Sequence, residues 1–189
     1  QLDDPQRGFS FSNNGPLDMR MSAHDSLPAS HYIATLPEKE LADIIYKYGE
    51  ERFSRRIAKT ITEERRKQPI TSTGQLAELV RKCIPGFSKI DKATRTFQAL
   101  RIFVNDELGE LERTLTALPG VLKPGSKAVV IAFHSLEDRI VKQHFRAWEE
   151  DGLAEILTPK PVVAGEEEMR ANPRSRSAKL RAARWLQAT

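Results

Sequence analysis

Lys127-Ala128-Val129-Val130-Ile131-Ala132-Phe133 runs without a break into His134-Ser135-Leu136-Glu137-Asp138-Arg139-Ile140-Val141-Lys142. The first half is short, nearly all apolar and rich in β-branched residues, which suits a central parallel strand covered on both faces. The second half takes a helical period, with Leu136, Ile140, His144, Phe145 and Trp148 along one side. Ser135 with Asp138 three residues on is an N-cap arrangement, so the helix is expected to start where the strand ends. In open α/β sheets ligands bind at the carboxyl ends of strands, which makes His134 and Ser135 candidate site residues. The plainer alternative is that Ser135 only caps and His134 is a structural hydrogen-bonder. A serine hydrolase is disfavoured, because no G-x-S-x-G elbow is present.

Upstream of this stretch, Phe97, Leu100, Val104, Leu108, Leu111, Leu115 and Leu118 step by three and four. That spacing predicts one long helix of about six turns, lying along a sheet rather than in a coiled coil. Pro119-Gly120 and Lys123-Pro124-Gly125 are turns before the strand. Downstream, residues 153–158 can form another strand, stopped by Pro159 and Pro161, and Glu166-Glu167-Glu168 opens a short helix. From 170 to 184 there are six basic residues and no acid. An exposed charged tail is one reading of that run. Its end in Ala183-Arg184-Trp185-Leu186 points instead to a final packed strand, and a fixed arginine cluster suits bidentate pairing with phosphate.

Residues 28–91 read as three helices. Leu41, Ile44, Ile45 and Tyr48 share one face, and Phe53, Ile57 and Ile61 follow at intervals of four. The third helix starts with Ser72 and Gln75 at capping-box spacing and ends at Pro85-Gly86. The second carries a basic face that includes Arg55 and Arg56, partly neutralised by Glu50, Glu51, Glu63 and Glu64. A solvated surface and a phosphate-binding surface both fit that face. Residues 1–15 are dense in turn formers, an unusual opening for an independent domain, so the chain is expected to be a piece of a longer protein. With 30 Lys and Arg against 26 Asp and Glu, the 189 residues carry a net charge of +4. At 39% hydrophobic residues the chain can build a core, and a lone Cys83 excludes an internal disulfide and any multi-cysteine metal cage. The longest apolar run, 128–133, falls far short of the roughly 18 residues that cross a bilayer. These properties lead us to expect an intracellular, soluble, mildly basic protein with no membrane partner.

Five stretches stand out by their length, order and separation. They are Gln1-Leu2-Asp3-Asp4-Pro5-Gln6-Arg7-Gly8-Phe9-Ser10-Phe11 with Gly15-Pro16-Leu17-Asp18-Met19-Arg20-Met21; Tyr48-Gly49-Glu50-Glu51-Arg52-Phe53; Ala93-Thr94-Arg95-Thr96-Phe97-Gln98-Ala99-Leu100-Arg101; the 133–142 stretch quoted above; and Asn172-Pro173-Arg174-Ser175-Arg176-Ser177-Ala178-Lys179-Leu180-Arg181. Together they resemble the N4-cytidine methyltransferase family that modifies small-subunit ribosomal RNA in bacteria and organelles, over nearly the whole chain.

The resemblance implies an α/β fold: the C-terminal part of a class I, Rossmann-like methyltransferase core with an inserted all-α substrate-recognition domain. Residues 1–27 would follow the fourth core strand, 28–92 would be the insertion, and 93–189 the returning half of the core. It further implies S-adenosylmethionine as methyl donor, no metal, and the exocyclic amine of a cytidine in the ribosomal decoding region as acceptor. Gln1 matches a position that contacts the donor in the family. Placement alone then suggests Asp18, His134 and Ser135 as catalytic candidates, Asp18 as an acceptor or ordering group and the other two bordering the base. Placement likewise assigns Arg20, Arg55, Arg56, Arg174, Arg176 and Lys179 to RNA. The family's glycine-rich donor turn precedes the fourth strand, and no Gly-x-Gly occurs in these residues. The chain alone is therefore expected to be incomplete and inactive. Its expected partner is small-subunit ribosomal RNA or the small subunit itself, in the cytoplasm or an organelle matrix, and a homodimer is left open. The competing reading is a non-enzymatic RNA-binding protein derived from the same family. A DNA-reading helix-turn-helix protein has only the basic helices in its favour and leaves the α/β half unexplained.

Overall fold

A computed structural model describes residues 4–22 and 27–186 of the chain. It divides into two compact units, Gln1–Glu107 and Leu108–Thr189. The first is helical. It contains α1 (Ala29–Thr35), α2 (Glu38–Gly49), α3 (Ser54–Glu64), α4 (Thr73–Cys83) and α5 (Thr94–Asn105). Leu41, Ile45, Ile57, Ile61, Leu76, Val80, Phe97 and Leu100 of these helices meet in one buried cluster. The stripe read from the sequence is thus the face that each helix buries. At the start of α4, Ser72 accepts from the Gln75 N–H and the Gln75 side chain accepts from the Ser72 N–H, the expected capping box.

The turn-rich opening is not a free loop. Leu17 and Met19 are buried in the same core. The Leu17 N–H donates to Thr71 O at 2.9 Å, the Met19 N–H to Arg7 O at 3.0 Å, and the Thr73 N–H to Gly15 O at 2.9 Å. Gly8 makes this folding-back feasible. It sits at φ 70°, and a Cβ there would stand 2.3 Å from Pro16 O.

The predicted six-turn helix is in fact two. α5 stops at Asn105, Asp106 takes the left-handed conformation at φ 47°, and α6 runs from Glu107 to Ala117. The three-and-four spacing carries across the break, but the stripe serves two cores. Phe97, Leu100 and Val104 lie in the first, while Leu111, Leu115 and Leu118 join the second.

The second unit places α7 (Ser135–Glu150) against a small sheet of β1 (Lys127–Ala132), β2 (Ala154–Ile156), β3 (Val162–Val163) and β4 (Lys179–Trp185). α8 (Glu166–Ala171) precedes a 3-10 turn at Pro173–Ser177. The strand order is β1-β4-β2, with β3 also on β4, and every pairing is antiparallel. This corrects the expectation of a parallel β1 covered on both faces. β1 pairs with β4 in the register Lys127↔Arg184 to Ala132↔Lys179, and Val129 and Ile131 are 55% and 52% exposed. An apolar, β-branched run specifies a strand but not its neighbour's direction. The inward side of the sheet buries Ala128, Ala183 and Trp185 against Val141, Phe145 and Trp148. Trp148 and Trp185 meet edge to face at 5.4 Å. Among the described residues no helix is long and apolar enough to cross a membrane.

Candidate functional site

Asp18 and Arg20 lie together in the first unit, apart from Arg55 and Arg56 on α3, and His134, Ser135, Arg174, Arg176 and Lys179 lie in the second. In the first, the chain from Pro16 to Met21 is held as a rigid bend. Met19 sits in the left-handed region at φ 64° with its side chain buried, a costly conformation for a residue with a Cβ. Asn105 holds it there, donating from Nδ2 to Met19 O at 2.8 Å and accepting from the Met21 N–H at 2.7 Å. Arg7 adds two bonds, to Arg20 O and Met21 O. On this frame Arg20 forks onto Asp18, Nε to Oδ1 at 2.7 Å and Nη2 to Oδ2 at 2.9 Å. The Arg20 hydrogen bond holds the Asp18 carboxyl below its ordinary value, outweighing the rise that burial alone would cause. Asp18 is therefore an ionised acceptor, and the guanidinium of Arg20, assigned to RNA by placement, is taken up by it.

In the second unit, His134 and Ser135 stand where β1 ends and α7 begins. The expected cap is displaced by one residue. His134, not Ser135, is the N-cap: its Nδ1 accepts from the Glu137 N–H at 3.3 Å, and Glu137 Oε2 accepts from the His134 and Phe133 N–H groups. Ser135 is the first helical residue and is exposed. Because His134 and Glu137 close the box, Asp138 is released from capping. It receives Arg181 Nε at 2.7 Å and Lys179 Nζ at 3.3 Å. Burial alone would raise the Asp138 pKa, but hydrogen bonds and charge from Arg181 and then Lys179 outweigh it and the net shift is downward.

The register Ala132↔Lys179 brings Lys179 to the same end of the sheet as His134 and Ser135. Arg174 and Arg176 are exposed on the turn at Pro173–Ser177. Ser175, between them, is buried and donates to Asn172 O at 2.7 Å, so both arginines rise from a fixed base. Arg55 and Arg56 are exposed on α3. Gln1 lies outside the described residues.

Asn105, Asp138 and Arg181 were missed as site-organising residues. A signal existed for the last two. On β4, Arg181 alternates with Ala183 and Trp185, and on α7, Asp138 stands three residues before Val141 and seven before Phe145. An arginine and an aspartate each on a core-facing period imply one another.

Helices and a sheet together make this an α/β chain, with His134, Ser135 and Lys179 at one end of the sheet. Comparison with known proteins narrows this: the model of the MraW methylase family matches residues 1–186, and the chain belongs to that family. Three relatives carry the name ribosomal RNA small subunit methyltransferase H. That of Deinococcus deserti is 56% identical over 184 residues, covering 97% of this chain and 60% of the relative. That of Acidobacterium capsulatum is 53% identical over 185 residues, 97% of this chain and 61% of the relative. That of Rickettsia bellii is 51% identical over 205 residues, 98% of this chain and 67% of the relative. The chain thus spans 60–67% of the length of these relatives.

Proposed function

We propose that this chain is the acceptor-side part of an S-adenosylmethionine-dependent methyltransferase acting on the exocyclic N4 of a cytidine in small-subunit ribosomal RNA. The observation that carries the reading is identity above half, over nearly the whole chain, to proteins named for methylating that RNA. We further propose that it forms the C-terminal part of a Rossmann-like core, divided as 1–27, 28–92 and 93–189, with the middle portion inserted for substrate recognition. The free RNA or the assembled small subunit is the partner, in the cytoplasm or an organelle matrix.

These residues do not fit a complete donor site. No Gly-x-Gly turn occurs in the chain, and the Asp18 carboxylate is already bound by Arg20. No step is therefore assigned through the donor. What the chain's own residues do is hold the acceptor. The N4 lone pair of cytosine is delocalised into the ring, so the amine is a weak nucleophile whose reaction depends on alignment and on acceptors for its N–H groups. Asp18, ionised and braced by Arg20, orders the bend at Met19. His134 and Ser135 border the base, Ser135 being exposed at the head of α7. Lys179, Arg174 and Arg176 neutralise phosphates on the same unit, and Arg55 and Arg56 do so on the first, while Arg20 is taken up by Asp18.

The test joins the chain to the portion of a relative that it does not cover and incubates the product with small subunits and methyl-labelled donor. The expected outcome is label recovered as N4-methylcytidine. Label in 5-methylcytidine or in ribose, or no transfer by a protein that binds donor, would refute the reading.

A further inference from the structure

We propose that the loop joining α4 to α5 builds a stacking subsite for one unpaired base of the RNA substrate. This rests on the RNA reading above and goes beyond it by naming the place and the chemistry. Phe87 is 94% exposed at the tip of the loop. Gly86, at φ 73°, turns the chain immediately before it. Phe87, Ile90 and Pro85 line a cleft of about 320 Å³ together with Arg52, Lys92 and Arg95.

The apolar side of this cleft is small, and the remainder is cationic. Its two acids are already engaged. Glu51 is buried and accepts from the Phe53 N–H at 2.9 Å. Asp91 takes Arg81 in a fork, Nη2 to Oδ2 at 2.8 Å, and accepts from the Ala93 N–H at 2.8 Å. Those bonds also fix the loop, so Phe87 is displayed from an anchored segment. Arg52 lies over Phe53 with its guanidinium carbon 4.7 Å from the ring centroid. The combination is an aromatic platform ringed by open positive charge. A protein partner's apolar anchor would want the platform without the cations. A base with its phosphate needs both, because stacking tolerates any base and the flanking charges hold the backbone.

The test measures binding of the full chain to a fluorescein-labelled oligocytidine of about 12 nucleotides, a length in the range that single-stranded sites cover. Phe87→Ala is expected to weaken binding about 10-fold. The slope of log affinity against log salt should stay unchanged, since no charge is removed. Phe87→Trp should keep the affinity and lose indole fluorescence as RNA binds, over a constant background from the buried Trp148 and Trp185. Wild-type affinity for Phe87→Ala, or an unquenched Phe87→Trp, in a chain that does bind RNA would overturn the subsite and leave the RNA reading standing. No RNA binding by the unaltered chain at low salt would overturn both. Unchanged RNA affinity in Phe87→Ala with loss of self-association in sedimentation would overturn it in favour of a protein contact.

Discussion

Replacing Asp138 by Asn tests the strand-end arrangement most directly. The Asp138 side chain is 14% exposed and that of Arg181 only 8%. Breaking a buried ion pair by removing one partner leaves an uncompensated charge and costs about 3–5 kcal/mol. Here the amide still accepts from Arg181 Nε, and Lys179 reaches solvent, so about 2–3 kcal/mol of that loss is expected. Both tryptophans, Trp148 and Trp185, lie in the second core, so urea unfolding followed by indole fluorescence reads this unit. With a slope of about 1–2 kcal/mol per molar, the midpoint should fall by about 1–3 M. The control is Glu155→Gln, which removes the exposed partner of Arg184 and should change stability by about 1 kcal/mol or less. If Asp138→Asn unfolds within about 0.5 kcal/mol of the unaltered chain, or no earlier than Glu155→Gln, then Asp138 is not the hub that fixes Arg181.

The same variant carries a pH signature. The folded pKa of Asp138 lies below its ordinary value of 3.8. A group with a depressed folded pKa contributes stability that is fully present above its unfolded pKa and is lost as pH falls through the folded one. The gap between the unaltered chain and Asp138→Asn should therefore be constant from neutral pH down to about 5 and close below about 4. A gap that persists in acid would mean that packing, and not the ion pairs, is what Asn disturbs.

Three further outcomes are expected. Gly49→Ala puts a Cβ 2.5 Å from Arg95 O where α2 meets α5, and should cost about 1–3 kcal/mol in thermal unfolding followed by circular dichroism; unchanged melting would mean that the two helices are not so closely apposed. The double change Arg55→Gln with Arg56→Gln should flatten the dependence of log RNA affinity on log salt by about one to two units, whereas an unchanged slope would return that face to solvent. Titrated calorimetrically with S-adenosylmethionine, the folded chain should show no heat of binding; saturable binding in the micromolar range would mean that these residues, alone or self-associated, do build a donor pocket.

The parts of the fold that could be read from the sequence are those governed by neighbours three or four residues apart. The buried stripe of α2, the Ser72 capping box, the short helix at Glu166 and the final strand ending in Trp185 all follow from local periodicity. What escaped depends on single residues or on distant ones. An unbroken run of leucines gives no sign that Asp106 turns left-handed, because the stripe resumes in phase. Whether β1 lies parallel or antiparallel is settled by which strand sits beside it, and β4 enters from the far end of the unit. Asp138 meets Lys179 and Arg181 across 41 and 43 residues, and Asn105 meets Met19 across 86. Periodicity can mark such residues as inward-facing, as it does Asp138 and Arg181, but it does not say across what distance they pair. The cap at His134 was missed for a different reason: Ser135 with Asp138 and His134 with Glu137 have the same spacing, and serine is the commoner cap.

Most residues in the stretches that resemble the family turn out to support one another. Gly49 lets α5 approach α2, Glu50 takes the left-handed C-cap position at φ 50°, and Glu51 holds the next N–H. From α5, Arg95 donates to Glu50 O and Gln98 to Tyr48 O, satisfying carbonyls at the end of α2. The two stretches at 48–53 and 93–101 are thus the halves of one joint. Gly8, Arg7, Met19 and Arg20 with Asn105 make a second, and His134 with Glu137 a third. Side chains consumed in joints contribute geometry and have little left to offer a ligand. Among the cations of these stretches, Arg52, Arg174 and Arg176 are exposed, Arg52 beside the joint of α2 and α5 and the two others on the turn that the buried Ser175 anchors, so each is held at a fixed place where a phosphate can meet it.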